Sequence, residues 1–133
     1  MEVRSYIKYV KMSPLKLRAL VSTVKVLPPK VALDRLSLSK TRSAKFLYKA
    51  LKSAVDNGKI AQGFDVSKAH IKTLKVDEGP VLKRFRAGSK GMAKPYVRKS
   101  SHITVVIEQK EVVKEKKVKA SRKKSEVKSV TKK

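Results

Sequence analysis

The most informative segment of the chain for its fold is HIKTLKVDEGPVLKRFRAGSKGMAKPYVRKSSHITVVIEQ, residues 70–109. Its two ends, HIKTLKV and SHITVVIEQ, are rich in β-branched residues and are bounded by polar residues, so both are predicted to be strands. The segment between them has neither the spacing of a helix nor enough apolar residues for a core. In the middle of this segment Gly88 and Gly91 flank Ser89-Lys90. A chain reversal is easiest there, because glycine readily adopts the backbone conformations of turns. Two arms of near-equal length therefore predict a long β-hairpin.

The predicted hairpin spans about residues 80–102 and is strongly cationic. At about 3.3 Å per residue its arms would project on the order of 30 Å beyond the sheet. A two-stranded ribbon alone is marginally stable in water, so this one is expected to be enclosed by something anionic. The cations along it have no acidic residue between them: Lys83, Arg84, Arg86, Lys90, Lys94, Arg98 and Lys99.

Composition points to the same kind of partner. The chain has 133 residues, with 35 Lys or Arg, 10 Asp or Glu and a formal net charge of +25. Such an excess is unusual for a soluble enzyme, because self-repulsion destabilises the compact state. No stretch approaches the roughly 20 apolar residues of a transmembrane helix, no secretory signal is evident, and there is no Cys. We therefore expect an intracellular protein that binds a polyanion, most simply a nucleic acid.

The charge divides the chain into a folded domain and a tail. Residues 1–109 hold 24 Lys or Arg against 7 Asp or Glu, and they contain every aromatic residue and all the Leu and Ile. Residues 110–133 hold 11 Lys or Arg against 3 Glu and no aromatic residue, which predicts a disordered basic tail. The tail has two equally supported interpretations, a segment that condenses onto RNA and a solubilising extension without a defined site.

One strand and two helices are predicted before the third helix. Val3–Val10 alternates loosely and suits a strand. Ser13-Pro14 combines a good N-cap with the residue favoured at the first helical position, so a helix should begin there and stop at Pro28-Pro29. A shorter helix is expected around 31–36.

The third helix has the clearest pattern. Ser39 or Thr41 can cap it, and Asn57-Gly58 is expected to end it. Its apolar face consists of Ala44, Leu47, Tyr48, Leu51, Ala54 and Val55. A separate cationic stripe consists of Arg42, Lys45, Lys49 and Lys52. That stripe is either an ordinary solvated face or an RNA contact, and the lack of acidic residues along it favours RNA.

Several of these segments together resemble the large-subunit ribosomal protein L-twenty-two family. They are VDEGP at 76–80, Lys83-Arg84, Lys90-Gly91, SHITVV at 101–106, Ser13-Pro14 followed by Lys16 and Arg18, and the Lys-rich third helix. The resemblance covers about residues 4–108. It implies an α+β fold, with a small antiparallel sheet packed on about three helices and a long protruding β-hairpin. It further implies a cytoplasmic constituent of the large ribosomal subunit that binds rRNA and supports assembly, and whose hairpin tip lines the nascent-peptide exit tunnel.

On this reading the basic residues become candidate rRNA contacts. The first group lies on the hairpin: Lys83, Arg84, Arg86, Lys94, Arg98 and Lys99. The second lies on the first and third helices: Lys16, Arg18, Arg42, Lys45 and Lys49. His102 is either a phosphate ligand or a structural histidine. The predicted tunnel-facing tip is Gly88, Ser89, Lys90, Gly91 and Met92, and relatives often carry Arg at the last of these positions.

Two aromatic residues and one acidic pair have open roles. Phe85 and Tyr96 either stack on bases or pair with each other across the hairpin, with a slight preference for pairing. Asp77-Glu78 is unsuited to paired-carboxylate catalysis, because neighbours in a strand point to opposite faces. We expect the pair to shape the base of the hairpin beside Gly79-Pro80, where a bulge or edge is favoured.

No enzyme, cofactor or metal is expected. The two His residues have no Cys and no plausible third ligand nearby, and no nucleotide-binding or nucleophile motif is present. The expected partners are large-subunit rRNA, neighbouring large-subunit proteins and the nascent polypeptide at the tip. We expect no membrane contact and no homo-oligomer. The first alternative, a general DNA-binding protein, does not explain the long hairpin. The second, a membrane-surface protein, would need the apolar face of the third helix, which the domain core uses better. The third, an RNA-modifying enzyme, would need a catalytic constellation that the sequence does not show.

Deletion of residues 110–133 should leave the melting temperature nearly unchanged and should weaken RNA affinity modestly. The tail offers no apolar face to dock on the domain, but it does carry positive charge. Thermal denaturation and RNA titration of the full and truncated chains test this. A large fall in melting temperature would show that the tail packs on the domain.

Overall fold

The fold combines three helices with three strands. A computed structural model describes residues 2–63 and 65–109, so the predicted tail at 110–133 lies outside the described residues. In chain order the elements are β1 (Glu2–Val10), α1 (Pro14–Lys25), α2 (Pro29–Leu38), α3 (Arg42–Gln62), β2 (Ala69–Ala87) and β3 (Ala93–Gln109). Short 3-10 turns occupy Val66–Lys68 and Ser89–Gly91. The predicted α+β class is confirmed.

The sheet is antiparallel, with strand order β1-β3-β2. β1 pairs only with the second half of β3, from Glu2 opposite Glu108 to Val10 opposite Ser101. β2 pairs with β3 along its whole length and continues past the end of β1. Residues 81–87 and 93–99 therefore form a two-stranded extension, called the ribbon below.

The core lies between the helices and one face of the sheet. Ile103, Val105 and Ile107 of the central strand are completely buried on this face, because odd-numbered residues of β3 point to the same side. α3 packs against β1 and β3, α1 against β2, and α2 against α3. Leu47 and Leu51 of α3 are equally buried. The opposite face of the sheet carries no helix among the described residues and is called the open face.

The helix starts follow the sequence prediction, with two differences. α1 begins at Pro14, and Ser13 occupies the N-cap position, but the Ser13 hydroxyl makes no capping hydrogen bond. α2 begins at Pro29, before the predicted start near residue 31, because proline also fits the first turn of a helix. For α3 the Thr41 hydroxyl accepts the backbone N–H of Ala44 at 3.4 Å, so Thr41 is the cap.

The predicted end of α3 at Asn57-Gly58 is wrong. The helix continues to Gln62 and ends at Gly63, whose φ of 58° is the left-handed C-terminal conformation. Gly58 is buried inside the helix, and the Asn57 side-chain amide donates to the carbonyl of Arg4 at 3.5 Å. Tertiary packing therefore offsets the low helix propensity of these two residues.

A bulge marks the point where the sheet becomes the ribbon, as predicted for Gly79-Pro80. The register shifts between Glu78 and Val81, so two residues of β2 oppose one residue of β3. Ser100 donates its hydroxyl to the Pro80 carbonyl at 2.6 Å. A Cβ on Gly79 would lie 2.6 Å from the Ser100 hydroxyl and 3.1 Å from the Ser100 carbonyl carbon. Glycine is therefore required there by close approach.

An ion-pair cluster ties the strand ends together on the open face. Lys72 of β2 contacts the carboxylate of Glu2 on β1 and lies 3.6 Å from that of Glu108 on β3. The hydrogen bond from Lys72 lowers the pKa of the Glu2 carboxyl, and the same bond raises the pKa of Lys72. The contribution of Glu2 to stability is present above its ordinary pKa and is lost as the pH falls through the lowered value. It is small, because the pair is exposed to water.

Gly79→Ala should destabilise the protein by about 1–3 kcal/mol, because the added methyl has no room beside Ser100. Urea denaturation gives the free energy of unfolding. The same substitution made in a Ser100→Ala background should cost less, since the nearest atom is then absent. Equal costs in both backgrounds would contradict a steric role for this contact.

Candidate nucleic-acid interface

A groove of about 680 Å³ opens where three parts of the chain meet. The loop before α1 and the first turns of α1 and α3 contribute residues on one side, and the base of the ribbon contributes the others. We call it the basic groove. It is lined by Lys11, Met12, Ser13, Lys16, Arg42, Ser43, Leu82, Arg98, Lys99 and Ser100.

Positive charge dominates the lining of the basic groove. Half of the lining side chains are Lys or Arg and three are Ser, and among the described residues no acidic side chain lines it. Lys and Arg neutralise phosphates, while hydroxyl groups hydrogen-bond phosphate and sugar oxygens. The groove is therefore suited to the sugar–phosphate backbone of a nucleic acid.

Two helix N-termini add to this preference for anions. α1 and α3 both begin at the groove, and neither has an acidic residue in its first turn. The Thr41 hydroxyl accepts one N–H at the start of α3, but no acidic side chain in the first turn compensates the positive end of either dipole. The Ser13 hydroxyl, which does not cap α1, lines the groove instead. The cations set the sign of the site, and the helix ends reinforce it.

A second depression, of about 450 Å³, continues from the groove along α3. It is lined by Lys40, Arg42, Lys45, Phe46 and Lys49. The guanidinium carbon of Arg42 lies 5.8 Å from the centre of the Phe46 ring, within the range of a cation–π contact. Since Arg42 lines both depressions, the predicted cationic stripe of α3 and the basic groove form one continuous surface.

Strand alternation sorts the ribbon side chains onto two faces. The register places Arg84 opposite Tyr96 and Arg86 opposite Lys94, and the Arg86 guanidinium lies 5.0 Å from the Tyr96 ring centre. One face carries Leu82, Arg84, Arg86, Lys94, Tyr96 and Arg98. The other carries Val81, Lys83, Phe85, Pro95, Val97 and Lys99. The first face is mainly cationic, and the second mixes two lysines with exposed apolar groups.

The preferred pairing of Phe85 with Tyr96 is wrong. Phe85 lies opposite Pro95, one position away from the pair formed by Arg84 and Tyr96. The two rings therefore point to opposite faces of the ribbon. Phe85 is 76% exposed, whereas Tyr96 is half-buried beneath Arg86. Of these two rings, Phe85 is the one that remains freely open to stacking by another molecule.

The structure brings most of the predicted rRNA contacts together. Four of them line the basic groove: Lys16, Arg42, Arg98 and Lys99. Two more line the adjoining depression, Lys45 and Lys49. The remaining hairpin cations, Lys83, Arg84, Arg86 and Lys94, extend this surface along the exposed ribbon.

Arg18 and His102 hold the protein together as well as being candidate contacts. Arg18 donates from Nε and from a terminal nitrogen to the Val76 carbonyl, at 3.1 and 3.0 Å. It therefore pins α1 to β2. His102 accepts the backbone N–H of Tyr9 at Nδ1, at 3.2 Å. Neither residue lines the basic groove among the described residues.

The tip is a tight, exposed turn. Gly91 has φ of 70°, as expected for a glycine-dependent reversal, and Lys90 also has positive φ, at 56°. The Gly88 N–H donates to the Met92 carbonyl at 2.7 Å. A Cβ on Gly88 would lie 2.7 Å from that same carbonyl oxygen, so both glycines are needed for different reasons. Ser89, Lys90 and Met92 are exposed.

Sequence reasoning missed part of the groove. Lys11 precedes the predicted start of α1, and its position beside Ser13-Pro14 was the available signal. Ser43 and Ser100 carried no sequence signal, because only the fold brings α3 and the end of the ribbon together. Within the described ranges no helix is long and apolar enough to cross a membrane. The same residues contain no cluster of three or more His, Cys, Asp or Glu placed to hold a metal ion.

A helix-covered sheet, a cationic ribbon and an acid-free groove define a basic α+β protein suited to contact a polyanion. The chain matches the family model described as Ribosomal protein L22p/L17e over residues 5–108. It is 39% identical over 109 residues to the large ribosomal subunit protein uL22 of Desulfatibacillum aliphaticivorans. These aligned residues make up 82% of this chain and 100% of the relative. The chain therefore belongs to this ribosomal protein family, and the resemblance drawn from its motifs is confirmed.

Replacing Lys16 and Arg42 together by Gln should weaken RNA binding and lower the slope of log affinity against log salt by about two. Each substitution would remove one of the cations expected to contact phosphate in the basic groove. Titration of the isolated protein with structured RNA at several salt concentrations measures both effects.

The matched control is the pair Lys30→Gln and Lys59→Gln, which removes the same charge from exposed positions outside the groove. It should change the slope much less. Equal slopes for the two double variants would show that only net charge matters and that the groove is not a contact site.

Proposed function

We propose that the protein is a structural constituent of the large ribosomal subunit that binds large-subunit rRNA through the basic groove and the ribbon. The observation that carries this proposal is the acid-free groove, which gathers cations from three separate segments and continues onto the ribbon. Family membership and the name of the relative support the choice of rRNA as the polyanion.

The length and exposure of the ribbon support the proposal that RNA surrounds it. About seven residue pairs extend beyond the sheet, from Val81 opposite Lys99 to Ala87 opposite Ala93, and span about 23 Å. All but one of its side chains from 81 to 87 and from 93 to 99 are exposed. A two-stranded ribbon alone is marginally stable. Folded RNA on both sides would supply the missing packing, and its phosphates would neutralise the arginine-rich face.

The tip is proposed to line the nascent-peptide exit tunnel. This assignment rests on the resemblance to the family, in which the hairpin tip has that place. The exposed turn supports it, because Ser89, Lys90 and Met92 make no core contact in the described part of the chain and Met92 is 70% exposed. Exposed side chains of this kind are free to face an aqueous passage and the peptide within it.

The remaining parts of the proposal follow from the protein's place in the large ribosomal subunit. The protein would act in the cytoplasm, support subunit assembly and contact neighbouring large-subunit proteins. It would do so as a single copy and without catalysis or a cofactor. A general duplex-binding protein is the competing function, and it predicts that RNA and DNA duplexes of arbitrary sequence bind equally well.

In a cell lysate the protein should sediment with the large ribosomal subunit. Because rRNA in the subunit is expected to surround the ribbon, washing at moderate salt should not release it. Sucrose-gradient fractions probed for the protein provide the measurement. Recovery in the soluble fraction or with the small subunit would contradict the proposed function.

A crosslinker at the tip should reach a stalled nascent chain. The chain contains no Cys, so Ser89→Cys introduces a single thiol for a short crosslinking reagent. Ser67→Cys, on an exposed turn of the body, is the control and should give no peptide crosslink. Crosslinks from position 89 to RNA alone would refute the tunnel assignment and leave rRNA binding intact.

A further inference from the structure

We propose that Tyr6, Tyr9 and His102 form a stacking site for an unpaired RNA base on the open face of the sheet. This inference rests on the proposed function and adds a second contact surface to it. None of the three rings is among the described residues that line the basic groove or the depression along α3.

The three rings form one exposed cluster. The Tyr6 and His102 ring centres lie 6.0 Å apart with an interplanar angle of 28°. Tyr9 meets His102 edge-on, at 5.0 Å and 75°. Tyr6 is 51% exposed and Tyr9 is 63% exposed. A large part of two aromatic surfaces therefore remains open beside a ring that is already fixed in position.

A bulge in β1 puts Tyr9 on this face. Val3, Ser5 and Ile7 point toward the helices, so uninterrupted alternation would send residue 9 to the same side. The register instead shifts between Ile7 and Val10, and two residues of β1 oppose His102. Val10 is buried in place of Tyr9.

The bulge is costly at this position. Tyr9 has φ of 54°, a left-handed conformation that is unfavourable for a residue with a bulky side chain. Strained backbone of this kind persists where the surrounding structure holds it, and it is concentrated at functional sites. A glycine would remove the strain but also the ring, so the strained tyrosine points to a use for its side chain.

His102 lies between the tyrosines and is hydrogen-bonded to the backbone of Tyr9. Its Nδ1 accepts the Tyr9 N–H at 3.2 Å, so in the neutral ring the proton is on Nε2. A Cβ on Gly79 would come within 3.2 Å of Nε2, which shows how closely β2 approaches the ring. The imidazole therefore packs against both tyrosine rings and is linked to the backbone of β1.

The surrounding charge favours a nucleotide over an apolar peptide. Lys8 places its ammonium 5.5 Å from the Tyr6 ring centre, and Arg4 and Lys75 are exposed on the same face. The strand register places one carboxylate near the rings, that of Asp77, which lies opposite His102. Three cations can meet the phosphates of a strand whose base stacks on the rings, as aromatic platforms do in single-strand-binding proteins.

Binding of a short single-stranded RNA that carries one 2-aminopurine tests the site in the full chain. Stacking quenches the fluorescence of this base. We expect quenching with the single strand and little change with the same sequence in a duplex. Tyr6→Leu and Tyr9→Leu should each reduce quenching and lower affinity for the single strand about tenfold. Tyr6→Phe, which keeps the ring, should behave as the unsubstituted protein does.

The groove variant with Lys16→Gln and Arg42→Gln separates this site from the proposed function. It should lower affinity for both RNAs and keep the quenching at saturation. If the unsubstituted protein binds neither RNA, the proposed function itself fails. If it binds both but neither Leu substitution alters quenching or affinity, the stacking site is refuted and the groove stands. Thermal denaturation of each variant identifies losses caused by unfolding. Tyr6 lies at a regular strand position, so its substitution does not disturb the strained backbone at Tyr9.

Discussion

The hydrogen bonds between β2 and β3 run from Ala69 opposite Gln109 to Ala87 opposite Ala93. One end of this pairing builds the sheet, because β1 adds to β3 there and the helices cover the resulting apolar face. In the described part of the chain no third strand joins the other end, which projects as the ribbon. A single antiparallel pairing thus belongs to the core at one end and to the proposed RNA contact at the other. The bulge at Gly79-Pro80 marks the transition between them.

Unbalanced charge is the second constraint on this molecule. The described ion pairs lie at the strand ends around Lys72 and beside α3, where Asp65 meets Lys68 at 3.2 Å. The basic groove has no such neutralisation in its described lining. Cations from the start of α1, the start of α3 and the ribbon base are therefore held close together at an electrostatic cost. Binding of a polyanion would remove that cost.

Most elements could be predicted because they depend on local patterns. Pro14 begins a helix, the apolar spacing of α3 identifies its buried face, and Gly91 adopts the positive φ of the tip turn. The errors arose where packing overrides propensity. Asn57-Gly58 lies inside α3 because the helix continues against β1, and Phe85 and Tyr96 are separated by the register of the ribbon.

The class of protein and the chemistry expected of its partner could be predicted from the sequence alone. Periods of two and 3.6 indicated strands and helices, and the excess of Lys and Arg indicated a polyanion, because these are properties of neighbouring residues and of total charge. Which cations lie side by side depended on the tertiary structure. Lys11, Ser43 and Ser100 join one groove because α1 and α3 begin at the base of the ribbon. It also placed Tyr6, Tyr9 and His102 side by side, since a one-residue bulge in β1 reverses the side to which Tyr9 points, and strand register depends on contacts distant in sequence.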